Sequence, residues 1–131
     1  MKHVVNPHGI PSKQVLVVDD EPAVANTIRM VLVHGGHKVE IVEDAEAALA
    51  RFEPGKYDLV ISDLSLGKMN GLALADAIRE RVPNQPFILI TAYADAIQAD
   101  ETKLAKVNAL LGKPFSLDQL QGALLKVFPA G

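Results

Sequence analysis

Three acidic residues directly follow a short apolar run near the start of the sequence. The run covers residues 15–18, and Asp19, Asp20 and Glu21 come next. Like charges at such close spacing repel one another, so a buried strand would normally avoid ending in them. A bound cation would remove the repulsion, because Mg²⁺ in proteins is held by carboxylate oxygens together with waters and phosphate oxygens. The stretch therefore predicts a cation site.

Three further polar residues close later apolar runs. Asp63 ends "YDLVISD", Thr91 lies near the end of "PFILITA" and Lys113 ends "VNALLGK". Ligands bind beyond the carboxyl ends of the strands in an open parallel sheet, so we expect these side chains to meet Asp19 and Asp20 there. A carboxylate can form an acyl phosphate, and a hydroxyl and an ammonium can neutralise phosphoryl oxygens. The set predicts a site that takes up a phosphoryl group.

Strand-like and helix-like segments alternate along the chain. Apolar and alternating runs predict strands at residues 14–19, 37–43, 57–63, 86–92 and 107–113. Amphipathic periodicity predicts helices at residues 22–34, 45–53, 71–82, 95–105 and 116–128. Five strands that are each followed by a helix favour right-handed crossovers, a parallel sheet and helices on both of its faces. The second strand, which ends at Glu43 and Asp44, is expected at the sheet edge.

Turn and capping residues mark the ends of several predicted helices. Pro22 fits the first turn of the first helix, and Gly35–Gly36 fit its end. Asp44 is predicted to cap the second helix, and Ser116 with Gln119 forms a capping-box pattern. The apolar faces of the helices are predicted to consist of Val24, Ile28, Val31 and Leu32, then Leu74, Ile78 and Val82, then Ile97 and Leu104, and finally Leu117, Leu120, Leu124 and Val127.

Composition and charge narrow the class of protein. A length of 131 residues fits one domain, and a net charge of −3 with mixed signs gives no nucleic-acid footprint. The absence of cysteine excludes disulfides and thiolate metal sites and suits the cytoplasm. All apolar runs are far shorter than a membrane span. Residues 1–13 are interpreted as a flexible leader rather than a signal peptide, and residues 14–131 as the domain.

Four segments together resemble the receiver domain of two-component response regulators. They are "VVDDE" (17–21), "ISDLSLGKMNGL" (61–72), "ITAYAD" (90–95) and "LLGKPF" (110–115). The resemblance implies an α/β fold, the flavodoxin-like (βα)5 three-layer sandwich with strand order 2-1-3-4-5. It also implies a bacterial phosphorelay domain that is not an enzyme, beyond catalysing its own phosphoryl transfer and dephosphorylation.

The resemblance further implies a role for each acidic residue. Asp63 would be the phosphoacceptor, taking a phosphoryl group from the phosphohistidine of a histidine kinase or phosphotransfer protein. Asp20 would bind Mg²⁺ together with Asp63 and the backbone carbonyl of Ser65, while Asp19 would act mainly through water. Glu21 is interpreted as a negative charge that interacts favourably with the dipole of the following helix, and not as a metal ligand.

The remaining site residues also match the family, whereas two neighbours depart from it. The resemblance implies that Thr91 hydrogen-bonds the acyl phosphate and that Lys113 pairs with it, before a cis peptide bond to Pro114. Gly67 stands where the family usually has proline, which gives that loop more conformational freedom. Leu110 stands where the family often has a tyrosine or phenylalanine that rotates inward, so the coupling from the site to the surface is expected to be altered.

The resemblance also implies a partner surface. The fourth helix, fifth strand and fifth helix, roughly residues 95–128, would contact a downstream protein, in a monomer or a weak phosphorylation-dependent dimer, without direct binding to nucleic acid or membrane. Two alternatives stay open. One is a receiver-like binding module that works without phosphorylation. The other is a Mg²⁺-dependent phosphatase of the haloacid-dehalogenase type, although "VVDDEP" lacks the Asp-x-Asp pattern of that class.

Overall fold

Five parallel strands form a single sheet. In the computed structural model, which describes residues 10–129, the strands are β1 (Gln14–Val18), β2 (Lys38–Val42), β3 (Leu59–Asp63), β4 (Phe87–Thr91) and β5 (Ala109–Gly112). Their order across the sheet is β2-β1-β3-β4-β5, and every neighbouring pair is parallel. The predicted strand order and the edge position of the second strand are confirmed.

Helices follow each strand, with one departure from the prediction. They are α1 (Pro22–His34), α2 (Ala45–Arg51), α3 (Gly71–Arg81), α4 (Ala94–Gln98), α5 (Glu101–Leu104) and α6 (Leu117–Val127). The single helix predicted over residues 95–105 is wrong, because two short helices occupy that segment. Asp100 lies between them and accepts the Lys103 N–H at 3.1 Å as the N-cap of α5, so the chain begins a new helix there.

The sheet separates two apolar clusters, as a three-layer sandwich requires. Alternate residues of a strand point to opposite faces, so Leu16 and Val18 join the cluster beneath α2 and α3. Val15 and Val17 join the other cluster, beneath α1 and α6. All four residues are buried, which explains why β1 is apolar throughout rather than alternating.

Most of the predicted helix faces are confirmed by burial. Those that lie fully in the core are Ile28, Leu32, Leu74, Ile78, Ile97, Leu120 and Leu124. Leu117 is the exception, since it is 54% exposed. It lies at the first residue of α6 and lines an open groove between α1 and α6, opposite Met30, instead of packing under the sheet.

The capping predictions are confirmed. Asp44 accepts the Ala47 N–H at 2.7 Å. The Ser116 hydroxyl accepts the Gln119 N–H at 3.1 Å while the Gln119 side chain accepts the Ser116 N–H at 2.8 Å, which completes the capping box. Gly35 ends α1, as expected. The Asp44 and Ser116 caps fix where α2 and α6 begin.

The described residues include Ile10, which is buried in the cluster beneath α1 and α6. Lys13 donates its N–H to His37 Nδ1 at 3.0 Å, and its carbonyl accepts the Lys38 N–H at 2.9 Å. Packing therefore begins before the predicted domain boundary at Gln14, and the rest of the predicted leader, residues 1–9, lies outside the described residues. Within residues 10–129, no helix is long and apolar enough to cross a membrane.

Candidate phosphorylation site

The predicted site residues meet at the carboxyl ends of β1, β3, β4 and β5. Asp19, Asp63 and Thr91 are buried there although they are polar. Carboxylate oxygens from Asp19, Asp20, Glu21 and Asp63 all lie within 4.8 Å of one another. Parallel strands bring together residues that are distant in sequence, so the sequence pattern alone was enough to predict this convergence.

Lys113 is the cation that faces the acids. Its Nζ lies 2.8 Å from Asp63 Oδ2, 2.8 Å from Glu21 Oε1 and 3.9 Å from Asp19 Oδ2. Burial lowers the pKa of Lys113, but the hydrogen bonds to Asp63 and Glu21 and the charge of Asp19 outweigh it, so the pKa lies above its ordinary range. Lys113 therefore stays protonated and points at the predicted phosphoacceptor.

One carboxylate oxygen of Asp19 accepts a hydrogen bond and the other does not. Its Oδ1 accepts the Glu21 N–H at 2.9 Å. Its Oδ2 is buried and accepts no hydrogen bond, one of two such side-chain atoms among residues 10–129. Burial, aided by the charges of Asp63 and Glu21, raises the pKa of Asp19 to about 6 against the opposing effects of the Glu21 N–H and Lys113.

This acid cluster fits a hard divalent cation. All of the available donors are oxygens, and the buried Asp19 Oδ2 accepts no hydrogen bond, with the Lys113 ammonium 3.9 Å away. Mg²⁺ takes carboxylate oxygens and keeps several waters, which suits a cluster with Asp19 buried and Asp20 exposed. Ser65 lies in the exposed loop after β3, where its N–H donates to Asp63 Oδ1 at 3.4 Å.

The backbone of Gly71 packs closely against the backbone carbonyl of Asp63. A Cβ added at Gly71 would lie 2.4 Å from the Asp63 carbonyl oxygen and 2.8 Å from Leu89 Cδ1, closer than real Cβ atoms come. The Ser62 hydroxyl donates to the same carbonyl at 2.9 Å. Sequence reasoning did not assign Gly71 any role in the site. The signal that could have found it is a glycine at the first residue of a helix, where most other residues form helix better.

Thr91 presents its hydroxyl at the end of β4. Its Oγ1 accepts the Tyr93 N–H at 2.9 Å, which leaves the hydroxyl hydrogen free to donate. Tyr93 itself is 65% exposed beside the site. The peptide bond between Lys113 and Pro114 is cis, as the resemblance implies.

The two departures from the family have structural counterparts. Gly67 has φ +83°, so its backbone lies in the left-handed region, and a Cβ added there would have nothing within 4 Å. Proline is locked near φ −65° and could not adopt that conformation, so proline could not replace Gly67 without a change in the loop. Leu110 is partly buried against the cluster beneath α2 and α3, and thus acts as a core residue.

Comparison with known proteins places this geometry in a family. Residues 15–125 match the response regulator receiver domain. Similar solved structures include the chemotaxis response regulator CheY4 of Vibrio cholerae, with a TM-score of 0.79 and 27% identity over 88% of this chain and 98% of that one. The response regulator TrrA of Thermotoga maritima, in complex with Mg²⁺ and BeF, has a TM-score of 0.79 and 32% identity over 88% and 99% of the two chains.

Sequence relatives agree with the solved structures. The transcriptional regulatory protein TrcR of Mycobacterium tuberculosis is 34% identical over 111 residues, which are 85% of this chain and 43% of TrcR. The response regulator protein FleR of Pseudomonas aeruginosa is 37% identical over 102 residues, 78% of this chain and 22% of FleR. The chain thus spans less than half the length of these relatives.

The fold and the rim of acids, hydroxyl and ammonium define a flavodoxin-like phosphoacceptor domain. The chain belongs to the response regulator receiver domain family of two-component systems. This family is a signalling domain rather than an enzyme, and neither the phosphatase nor the phosphorylation-independent alternative is favoured.

Proposed function

We propose that Asp63 accepts one phosphoryl group from the phosphohistidine of a histidine kinase or phosphotransfer protein. The observation that carries this proposal is the 2.8 Å contact between Lys113 Nζ and Asp63 Oδ2 at the buried end of β3. A carboxylate oxygen of Asp63 attacks phosphorus, the P–N bond breaks, and the donor's imidazole nitrogen keeps the electron pair and takes up a proton from water. The product is an acyl phosphate on Asp63.

Lys113 and Thr91 then stabilise the negative charge on the phosphoryl oxygens. Once Asp63 is phosphorylated, its carboxyl carries no charge and the phosphoryl oxygens carry it instead. The ammonium of Lys113 already lies within hydrogen-bond reach of Asp63, and the hydroxyl hydrogen of Thr91 is available to donate. Positioned donors of this kind supply most of the stabilisation in phosphoryl transfer.

Asp19, Asp20, Asp63 and the carbonyl of Ser65 would hold Mg²⁺ in this site. The buried Asp19 Oδ2, which accepts no hydrogen bond, supports this part of the proposal. When bound, the ion supplies positive charge that offsets the acids and the equatorial phosphoryl oxygens. The residues of the chain keep the roles of nucleophile, ammonium and hydroxyl described above.

Phosphorylation would switch a partner-binding face formed by α4, α5, β5 and α6. For that, the acyl phosphate must favour one of two forms of the domain. Leu110 on β5 is partly buried, so the change is expected to reach the surface through Thr91 and the short helices α4 and α5 rather than through a rotating ring. We place the domain in the cytoplasm, as a monomer or a weak phosphorylation-dependent dimer that also loses its phosphoryl group by its own catalysis.

The test is intact-protein mass after incubation with acetyl phosphate, with and without Mg²⁺. We expect a single phosphoryl adduct on the wild type that requires Mg²⁺, and no adduct on Asp63→Asn. Asp118→Asn, which changes an exposed acid on α6, is the matched control and should be phosphorylated normally. An adduct retained by folded Asp63→Asn would show that another residue is the acceptor.

A further inference from the structure

Glu21 has a contact that its expected role near the helix dipole does not explain. It precedes α1 as the N-cap residue, yet its side chain makes no capping hydrogen bond. Its Oε1 instead accepts from Lys113 Nζ at 2.8 Å, across 92 positions of sequence. The ammonium of Lys113 therefore lies at the same distance, 2.8 Å, from a carboxylate oxygen of Glu21 and from one of Asp63.

The backbone of Glu21 is well anchored, so this contact starts from a fixed point. Its N–H donates to Asp19 Oδ1 at 2.9 Å, and its carbonyl accepts the Ala25 N–H at 3.1 Å in the first turn of α1. Pro22 restricts the backbone immediately after it. The side chain is 58% exposed, so it can leave Lys113 and become fully hydrated.

We propose that Glu21 is a positioning residue that holds Lys113 in the unphosphorylated domain and opposes its transfer to a phosphoryl group on Asp63. This inference rests on the proposed function of Asp63. Phosphorylation adds negative charge beside a carboxylate that already competes for the same ammonium, so Glu21 raises the free energy of the phosphorylated form relative to the resting form. Glu21 would thus set how strongly the site retains a phosphoryl group.

The first test compares Glu21→Gln with Glu43→Gln in binding beryllium fluoride, a phosphoryl analogue, at saturating Mg²⁺. Glu43 is an exposed acid next to the end of β2, so its variant removes one negative charge from the same edge of the sheet without touching Lys113. Because a unit charge about 5–6 Å away in a water-like medium changes binding roughly threefold, we expect Glu21→Gln to bind about three times more tightly than the wild type. Glu43→Gln should match the wild type.

A second test needs no metal. The free energy of unfolding is measured in the presence of a chelator for four proteins: the wild type, Glu21→Gln, Lys113→Gln and the double variant. This double-mutant cycle gives the coupling between the two side chains. A partly exposed pair predicts a coupling of about two- to fivefold in the unfolding equilibrium constant. If the cycle shows no coupling, the proposal that Glu21 holds Lys113 is wrong.

The outcomes separate this inference from the proposed function. If the wild type forms no Asp63 adduct, the proposed function fails and takes the inference with it. If the wild type is phosphorylated but Glu21→Gln binds beryllium fluoride no more tightly than Glu43→Gln, only the role of Glu21 is wrong. Glu21→Asp keeps the charge but shortens the reach, so an affinity between those of the wild type and Glu21→Gln would support competition through contact as well as charge.

Discussion

The two ends of the sheet treat polar groups in opposite ways. At the amino ends of the strands, polar side chains satisfy backbone groups, and the Asp58 carboxylate does so by accepting the Gln14 N–H at 2.8 Å. His37 Nδ1 accepts the Lys13 N–H, and Gln85 Nε2 donates to the Tyr57 carbonyl at 3.2 Å. Asn108 Oδ1 accepts the Phe87 N–H at 2.8 Å. Each of these bonds fixes the point where a strand or its preceding turn begins.

At the carboxyl ends, by contrast, buried acids crowd around one ammonium. Asp19 and Asp63 are both buried, and Asp19 Oδ2 has no hydrogen-bond partner. Arg79 Nε at the amino end is likewise unpartnered, but the same guanidinium donates from Nη2 to the Gln85 carbonyl and to Asn108. The difference indicates that the amino ends stabilise the fold, whereas the carboxyl ends keep a repulsion that a cation and a phosphoryl group can use.

The largest predicted effect comes from the backbone contact that holds Asp63. We expect Gly71→Ala to lower the free energy of unfolding by about 1–3 kcal/mol, because the added methyl overlaps backbone that cannot move aside cheaply. It should also slow Mg²⁺-dependent phosphorylation, since relief of the overlap displaces the Asp63 carbonyl. Urea unfolding and the initial rate of adduct formation measure the two effects.

Gly122→Ala is the matched control for this change. Gly122 lies inside α6 with nothing within 4 Å of an added Cβ, so alanine there should stabilise the domain by about 1 kcal/mol through helix propensity. If Gly71→Ala were as stable as Gly122→Ala, the close approach behind Asp63 would not constrain the site.

The sequence was sufficient to predict those parts of the molecule that depend on local patterns, or on the rule that ligands bind at the carboxyl ends of parallel strands. Apolar runs and one alternating run predicted the five strands, and the position of Asp63, Thr91 and Lys113 at strand ends predicted their convergence. Short polar caps such as Asp44 and Ser116 also work locally, which is why their hydrogen bonds could be predicted.

What the sequence could not show depends on contacts between distant segments. The approach of Gly71 to the Asp63 carbonyl and the bond from Lys113 to Glu21 need the packed fold before they can be recognised. The break between α4 and α5 is different, because Asp100 followed by Glu101 is itself a helix-start pattern. That local signal lay inside the predicted helix over residues 95–105 and was outweighed there by the apolar positions.

For Asp19→Asn we predict a smaller change in the free energy of unfolding, opposite in sign to that of Gly71→Ala. In metal-free protein near pH 8, we expect Asp19→Asn to raise the free energy of unfolding by about 1–2 kcal/mol, because burial disfavours the charged carboxylate and the amide removes that charge. The amide oxygen can still accept the Glu21 N–H. Urea unfolding in a chelator measures the change.

Addition of Mg²⁺ should reverse the order of stability. The wild type gains stability by binding the ion, whereas Asp19→Asn has lost one of its acids and should gain less. A variant that is less stable than the wild type in chelator would show that Asp19 contributes to the fold, and the contrast between the two ends of the sheet would then not hold.

The smallest predicted effect is a difference in pH dependence between the two ends in metal-free protein. Burial, with the charge of Lys13, lowers the pKa of His37, so the unfolded chain takes up more protons and stability is lost as pH falls below about 6.5. Asp19 acts oppositely. Its pKa rises to about 6 in the folded protein, so its protonation contributes stability at low pH that is lost as pH rises from 3.8 through 6.

His37→Asn separates the two contributions. The asparagine oxygen can accept the Lys13 N–H but does not titrate, so the stability of this variant relative to the wild type should increase as pH is lowered from 7 to 5. Unfolding in urea at several pH values, with a chelator present, measures the trend, and His34→Asn, at the exposed end of α1, should follow the wild type. Parallel curves for His37→Asn and the wild type would mean that protonation of His37 is tolerated in the fold, and the predicted difference in pH dependence between the two ends of the sheet would not hold.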